Sequence, residues 1–495
     1  MILSPISGYL LRESQERQQE ARRARYGTGP VSLRGSLTDA YDKVSTRTPD
    51  VVFKFGDVSS ASEEQELRYN RIMAGQAAGL HARSVDGLDV QMLAPHEQDK
   101  DGNSSKEWRV VVSRGGTEVA RGEITADTRV VTNPDGSVTL EEAADGVTFE
   151  GTKDNDILIR LSDRQVNAGA GNDMVISLGG SGGVDGGDGN DSILGAVRGN
   201  AASGEGGMAL LSGGAGDDRI ELTNSMHALL DGGDGDDTLD GAMAHVIVRG
   251  GLGDDRLQGE MHFADIDAGD GNDSFKMDLV ALSQVKAGLG DDVVKGDFRR
   301  STINGGLGDD TFDGRFRGSN LFGEEGRDTF AGLYERGTVD GGEDGDTFAI
   351  RGAHTTEFTG GAGDDVMRAV TSFFASYDGG EGDDVLELGR KRHVSKGGYL
   401  VPGGLSPTAW KVDGLPGAYY AEGDLVQNVV NGGDGDDNVN VYGAPGNRRG
   451  LDEPARVSGG RGRDLVAIYG AMQRMGQLYG EEEDGEIPVL LMPYV

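Results

Sequence analysis

The sequence predicts a mainly β fold, a right-handed parallel β-roll or β-solenoid with about 18 residues per coil, preceded by a small α+β N-terminal domain. Three observations predict it. Glycine fills 85 of the 495 positions. A Gly/Asp-rich turn returns at a fixed period. Two apolar positions hold constant register with that turn.

The turn has the core Gly-Gly-x-Gly-(Asn/Asp)-Asp. Its final Asp recurs fifteen times, at Asp156, Asp173, Asp191, Asp218, Asp237, Asp255, Asp273, Asp292, Asp310, Asp328, Asp346, Asp365, Asp384, Asp437 and Asp464. From Asp218 to Asp384 every step is 18 or 19 residues. An apolar residue stands two places after each Asp, from Leu158 through Phe312 to Val466. A second stands two places before each Gly pair, from Val166 through Val285 to Val457. Against a background of 36% hydrophobic residues, twenty-nine consecutive apolar positions exclude a disordered chain. Each coil therefore has two short strands, each sending a large apolar residue inward, and stacked coils make two facing parallel sheets.

Five segments follow. Residues 1–150 form the N-terminal domain, with helices expected at Arg12 to Arg25 and Glu63 to Ala82. Strands are expected at Val110 to Val112, Val119 to Ile124 and Val130 to Val131, between turn signals at Gly115-Gly116 and Asn133-Pro134-Asp135-Gly136. Residues 151–388 are the main array, 389–431 an insert, 432–470 the terminal coils and 471–495 a tail. The insert carries Arg390-Lys391-Arg392-His393, Trp410, Tyr399, Tyr419 and Tyr420. A long non-repeat insertion in a solenoid is a candidate functional element. Only one bend per coil is Gly/Asp-rich. The other, as at Gly314-Arg315-Phe316-Arg317, looks irregular and free to vary.

Composition narrows the function. Lys and Arg total 47 against 84 Asp and Glu, a net charge of −37, which argues against nucleic acid or anionic lipid as partner. There is no cysteine, hence no disulfide, thiolate metal site or cysteine nucleophile. No apolar run approaches the ~18 residues of a spanning helix. The N-terminal Met1-Ile2-Leu3-Ser4-Pro5 has no basic region of a Sec-type leader.

The turn points to a hard cation. Glycine at its first, second and fourth positions is expected to allow positive φ and let carbonyls face inward. The sixth-position Asp adds a carboxylate, and all-oxygen ligands suit calcium. One turn supplies half a shell and the next coil, roughly 4.8 Å away, the other half. The candidate ligands are Asp173, Asp191, Asp218, Asp237, Asp255, Asp273, Asp292, Asp310, Asp328, Asp346, Asp365, Asp384 and Asp437. Three turns depart from the pattern. Arg327 stands at the fifth position of one, Asp344-Gly345 are transposed in another, and Arg461 and Arg463 enter a third. Those sites are expected to be weak, absent or replaced by salt bridges. The expected load is roughly eight to eleven Ca2+ ions in one row.

The repeat resembles the RTX, or haemolysin-type, calcium-binding nonapeptide Gly-Gly-x-Gly-x-Asp-x-apolar-x over Gly151 to Val466. The resemblance implies a β-roll that folds on binding calcium, in a chain exported unfolded by a type I ABC exporter. It implies a secreted, extracellular or cell-surface location. The tail Glu486 to Val495, acidic then apolar, stands where the family carries its uncleaved secretion signal. The chain departs from the family in keeping the calcium turn on one edge only.

No catalytic signature appears. His96-Glu97-Gln98-Asp99-Lys100 lacks the second histidine of a zinc protease motif, and the Gly-x-Ser-x-Gly at Gly179 to Gly183 lies in a glycine run. The expected function is non-enzymatic: a structural, adhesive or partner-binding module contacting a protein or surface ligand through the variable edge or residues 389–431. The alternative is an enzyme or toxin whose active domain is residues 1–150, with the array as export and folding module.

Overall fold

The computed structural model describes residues 80–389 except 96, 98–101, 145, 179–181, 198 and 200–207. It further describes 410–411, 419–420, 425–426, 428–442, 456–469 and 489–492. Among these residues the elements are strands, and the array is a parallel β-solenoid. The first helix expectation and most of the second fall outside the described residues. The end of the second is a strand, β1 (Leu80–Val85).

An antiparallel sheet comes first: β1, β2 (Leu88–Leu93), β3 (Trp108–Arg114) and β4 (Thr117–Ile124), in that order. The β3–β4 hairpin turns on Gly115 and Gly116, at φ 55 and 78°, a conformation that favours glycine. Its apolar face, including Val90, Met92, Val110 and Val112, packs on Ile157, Ile159, Met174, Ile176 and Leu194. Those residues belong to the first coils, so strands there are buried on both faces: Ile157–Arg160 and Met174–Ser177 are buried throughout. The pattern of uninterrupted apolar residues in these strands has this cause.

The hairpin β5 (Thr128–Thr132) and β6 (Val138–Glu142) closes the leading end. β5 pairs antiparallel with Ile157–Ile159. Buried Asp127 holds the junction, accepting from the Leu161 amide at 2.8 Å and the Ser162 hydroxyl at 2.7 Å. Arg160, fully buried in the first coil, donates to the Ser177 hydroxyl and to the Arg164 carbonyl.

Beyond the cap the coils stack in parallel. One sheet has fifteen strands, from Thr148–Thr152 to Arg456–Arg461, and it carries the register Val166, Val184, Leu211, Leu230, Val248. The facing sheet carries Leu158, Val175, Ile193, Ile220, Leu239, Leu257. Both predicted ladders point inward, and their members are buried.

The sequence reading missed a third inward ladder. Met243, Met261, Val280, Phe298, Phe316, Tyr334 and Ala353 are register partners in successive coils, and all are buried. In five of these seven coils they stand four residues past the first ladder, on the same alternating face, with a glycine between (Gly241, Gly259, Gly296, Gly314, Gly332); at Val280 and Ala353 a bulge displaces them by one more residue. The middle coils are aromatic. Phe312, Phe330 and Phe348 stack with centroids 4.9 and 4.8 Å apart, and Phe298, Phe316 and Tyr334 at 5.5 and 5.2 Å.

The second bend is regular as well, contrary to expectation. His227, His245, Phe263, Leu282, Arg300, Gly318, Arg336, Thr355 and Phe374 occupy its apex in turn, all at φ 51–63°. Its regularity lies in backbone conformation, which tolerates many side chains when the hydrogen bonds repeat. The apex amides donate to the following coil, as from His245 to His262 O at 2.9 Å. Beside them runs a hydroxyl ladder, with Ala264, Ser283 and Ser301 amides donating to Ser283, Ser301 and Ser319 Oγ.

Phe330 is enclosed on both sides by rings. Truncation by Phe330→Ala is expected to cost about 3–5 kcal/mol, as for other buried aromatics. Urea unfolding measures it, and a loss below about 1 kcal/mol would contradict this packing.

Candidate metal-binding edge

The Gly/Asp turns build two hydrogen-bonded ladders running in opposite senses. In the inner ladder the sixth-position Asp turns its side chain inward. Its Oδ1 accepts the amide of the equivalent Asp one coil earlier, from Asp156 N to Asp173 Oδ1 (2.6 Å) through Asp255 N to Asp273 Oδ1 (2.8 Å) to Asp437 N to Asp464 Oδ1 (3.2 Å). In the outer ladder the fifth-position Asn or Asp accepts from the following coil, as from Asp254 N to Asp236 Oδ1 at 2.9 Å.

The inner carboxylates are buried and half-satisfied. Asp173, Asp191, Asp218, Asp237, Asp255, Asp273, Asp292, Asp310, Asp328, Asp346, Asp365, Asp384 and Asp437 are each at most 2% exposed. In every one Oδ2 is buried with no hydrogen-bond partner. A buried acceptor of this kind costs stability unless a proton or a cation meets it. All thirteen residues singled out from the sequence thus share one geometry.

In the ten of these turns that begin with glycine, Oδ2 converges with a carbonyl oxygen of the next coil. A Cβ built on Gly232 would lie 2.2 Å from Asp237 Oδ2 and 2.4 Å from Gly250 O. On Gly341 it would lie 2.0 Å from Asp346 Oδ2 and 2.3 Å from Gly360 O. Carboxylate and carbonyl from successive coils therefore face one small space over the first glycine. An all-oxygen, acceptor-only donor set fits a hard divalent cation, calcium before zinc.

The first position does not adopt positive φ, which corrects the expectation for its glycine. Left-handed φ occurs at the second and fourth positions, as at Gly233 (121°) and Gly235 (133°). A methyl is accepted at the first: Ala168, Ala268 and Ala287 occupy it, fully buried.

The ends of the row differ. Asp156 Oδ2 accepts the Thr152 amide of its own turn at 2.6 Å, so the first turn is self-satisfied. Asp464, which the sequence reading set aside because of its arginines, has the same buried, partnerless Oδ2. Over Gly459, however, only Asp464 itself crowds the space, and no carbonyl from a later coil does.

The three divergent turns keep the inner carboxylate. Their arginines reach outward instead: Arg327 to Asp309 at 3.5 Å, Arg461 to Asp434 at 3.4 Å and Arg463 to Asp436 at 2.5 Å. Glu324 and Asp344 hold φ 85 and 71° in columns that are elsewhere glycine from the second turn onward, which stores strain in two successive turns.

Burial dominates the electrostatics. It pushes Asp292 and Asp346 up to about 8, and Asp191, Asp273 and Asp437 up to about 6. The amide on Oδ1 opposes the shift, and neighbouring carboxylates add to it. No cluster of three or more His, Cys, Asp or Glu side chains capable of holding a metal occurs among the described residues; the donors here pair one carboxylate with backbone. No protein-family model matches the chain, and no curated protein is similar to it in sequence.

The raised values set the sign of the pH response in chelator. The folded chain takes up protons that the unfolded chain, with Asp near 3.8, does not. Ion-free stability is therefore greatest in acid and falls as pH rises through about 6 to 8. Urea melts in EGTA at pH 5 and pH 8.5 test this; equal or greater stability at the higher pH contradicts it.

Proposed function

We propose that the chain is a calcium-binding RTX-type protein whose solenoid folds when ions enter the inner edge, outside the cell. The column of buried Asp Oδ2 atoms without hydrogen-bond partners, from Asp173 to Asp437, carries the reading. Calcium, when bound, would supply the positive charge that these carboxylates and the facing carbonyls lack. The chain's own part is to hold one carboxylate oxygen inward, by tying the other to the preceding coil's amide. The resulting row would serve at extracellular, millimolar calcium and leave the chain unfolded for a type I exporter at cytosolic levels. The protein is read as non-enzymatic, a structural or partner-binding module.

Circular dichroism of the full chain with calcium and then EGTA tests this. A β signal that appears with calcium and collapses in EGTA at pH 8 is expected; an identical signal in both contradicts the reading. Asp255→Asn should raise the calcium midpoint several-fold. Asp156→Asn should leave it unchanged, because Asp156 already has the Thr152 amide.

A further inference from the structure

The bend opposite the acidic turns gathers arginine. Three consecutive coils place Arg299 and Arg300, Arg315 and Arg317, and Arg336 there. Parallel register sets Arg299 beside Arg317, Asp297 beside Arg315, and Arg317 beside Glu335. Two of the five have a carboxylate: Arg299 lies 2.8 Å from Asp297 and Arg317 3.6 Å from Glu335. Arg300, Arg315 and Arg336 have no ion pair among the described residues. Burial holds the Arg317 pKa below its ordinary value, and the nearby cations Arg315 and Arg299 press it the same way.

Arg300 and Arg336 stand at the bend apex, both exposed and two coils apart. Between them the apex residue is Gly318, where a Cβ would meet Arg300 Cγ at 3.5 Å. The glycine leaves a notch one coil wide between two guanidinium groups.

The molecule carries the complementary surface on its other edge. The outer ladder exposes Asp236, Asp254 and Asp291, each with Oδ1 taken by an amide and none in an ion pair among the described residues. Both edges repeat with the same strand spacing, roughly 4.8 Å. Arginines two coils apart therefore match carboxylates two coils apart, such as Asp254 and Asp291. Guanidinium forks bind carboxylates in two-bond geometry. We propose that this arginine cluster docks on the acidic edge of a second copy of the chain. The contact joins different surfaces, so it is heterologous and extends beyond a dimer into a ring or an open array. At physiological ionic strength, with a Debye length of ~8 Å, the net repulsion between two acidic chains is screened beyond close range, while the docked pairs are not.

Sedimentation velocity on the full, folded chain tests the proposal over a concentration series. Reversible association is expected, dissolving at about 1 M salt, where screening reaches ~3 Å. Arg300→Glu with Arg336→Glu should weaken it by about tenfold or more while the β signal is unchanged. Should that pair misfold, Arg300→Gln with Arg336→Gln and the salt series on the native chain decide the matter. A chain monomeric throughout, or association indifferent to salt and to the variants, overturns the proposal. So does a monomer that instead binds heparin through Arg300 and Arg336, which would assign the surface to a polyanion. Running each arm in calcium and in EGTA keeps the two readings apart, because self-association by a chain whose fold ignores EGTA would sink only the calcium role.

Discussion

The structure turns on a buried carboxylate that can satisfy only one of its two oxygens. The sixth-position Asp anchors each coil to the one before through Oδ1, and by doing so commits Oδ2 to a space lined with acceptors. Repetition makes this severe. Stacking brings equivalent carboxylates to roughly the strand spacing, and in a low-dielectric interior like charges at that range cannot all ionise without a counter-charge. The array must be neutralised by protons or cations, and its stability is tied to whichever is present.

The rest of the coil is arranged around that demand. The second edge solves the same stacking problem with neutral hydroxyls, Ser283, Ser301 and Ser319, and so needs no ion. The core between the edges is thin, three inward side chains per coil, and is thickest in aromatics at Phe312, Phe330 and Phe348. Those are the coils whose acidic turns contain the strained Glu324 and Asp344 and the cation Arg327. The ring stacks coincide with the least regular acidic turns. The antiparallel sheet β1–β4 and the β5–β6 hairpin cover the leading coils, where buried Arg160 and Asp127 add side-chain hydrogen bonds of their own.

Much of this was legible in the sequence because it is periodic. The 18-residue recurrence of Asp located the turns, and the two flanking registers located both sheets. What escaped has specific causes. The Met261–Phe298–Tyr334 ladder keeps a constant spacing of four from the first ladder, but a glycine interrupts the apolar alternation before it, and a bulge shifts Val280 and Ala353 by one residue. The second bend keeps its conformation through left-handed residues as different as His245, Leu282 and Thr355, which share no side-chain signal. Asp464 was set aside on local charge, yet its arginines point outward and leave the carboxylate where its equivalents are. Glycine at the first turn position meets no backbone demand, since Ala268 and Ala287 stand there in other coils.

The inner oxygens are proposed to take cations. The direct measurement is a count of calcium retained by the folded chain, by atomic absorption after gel filtration in calcium and parallel titration calorimetry. A stoichiometry of roughly eight to eleven ions per chain, bound with folding, is the predicted result. A folded chain that retains none, or only one, would contradict it.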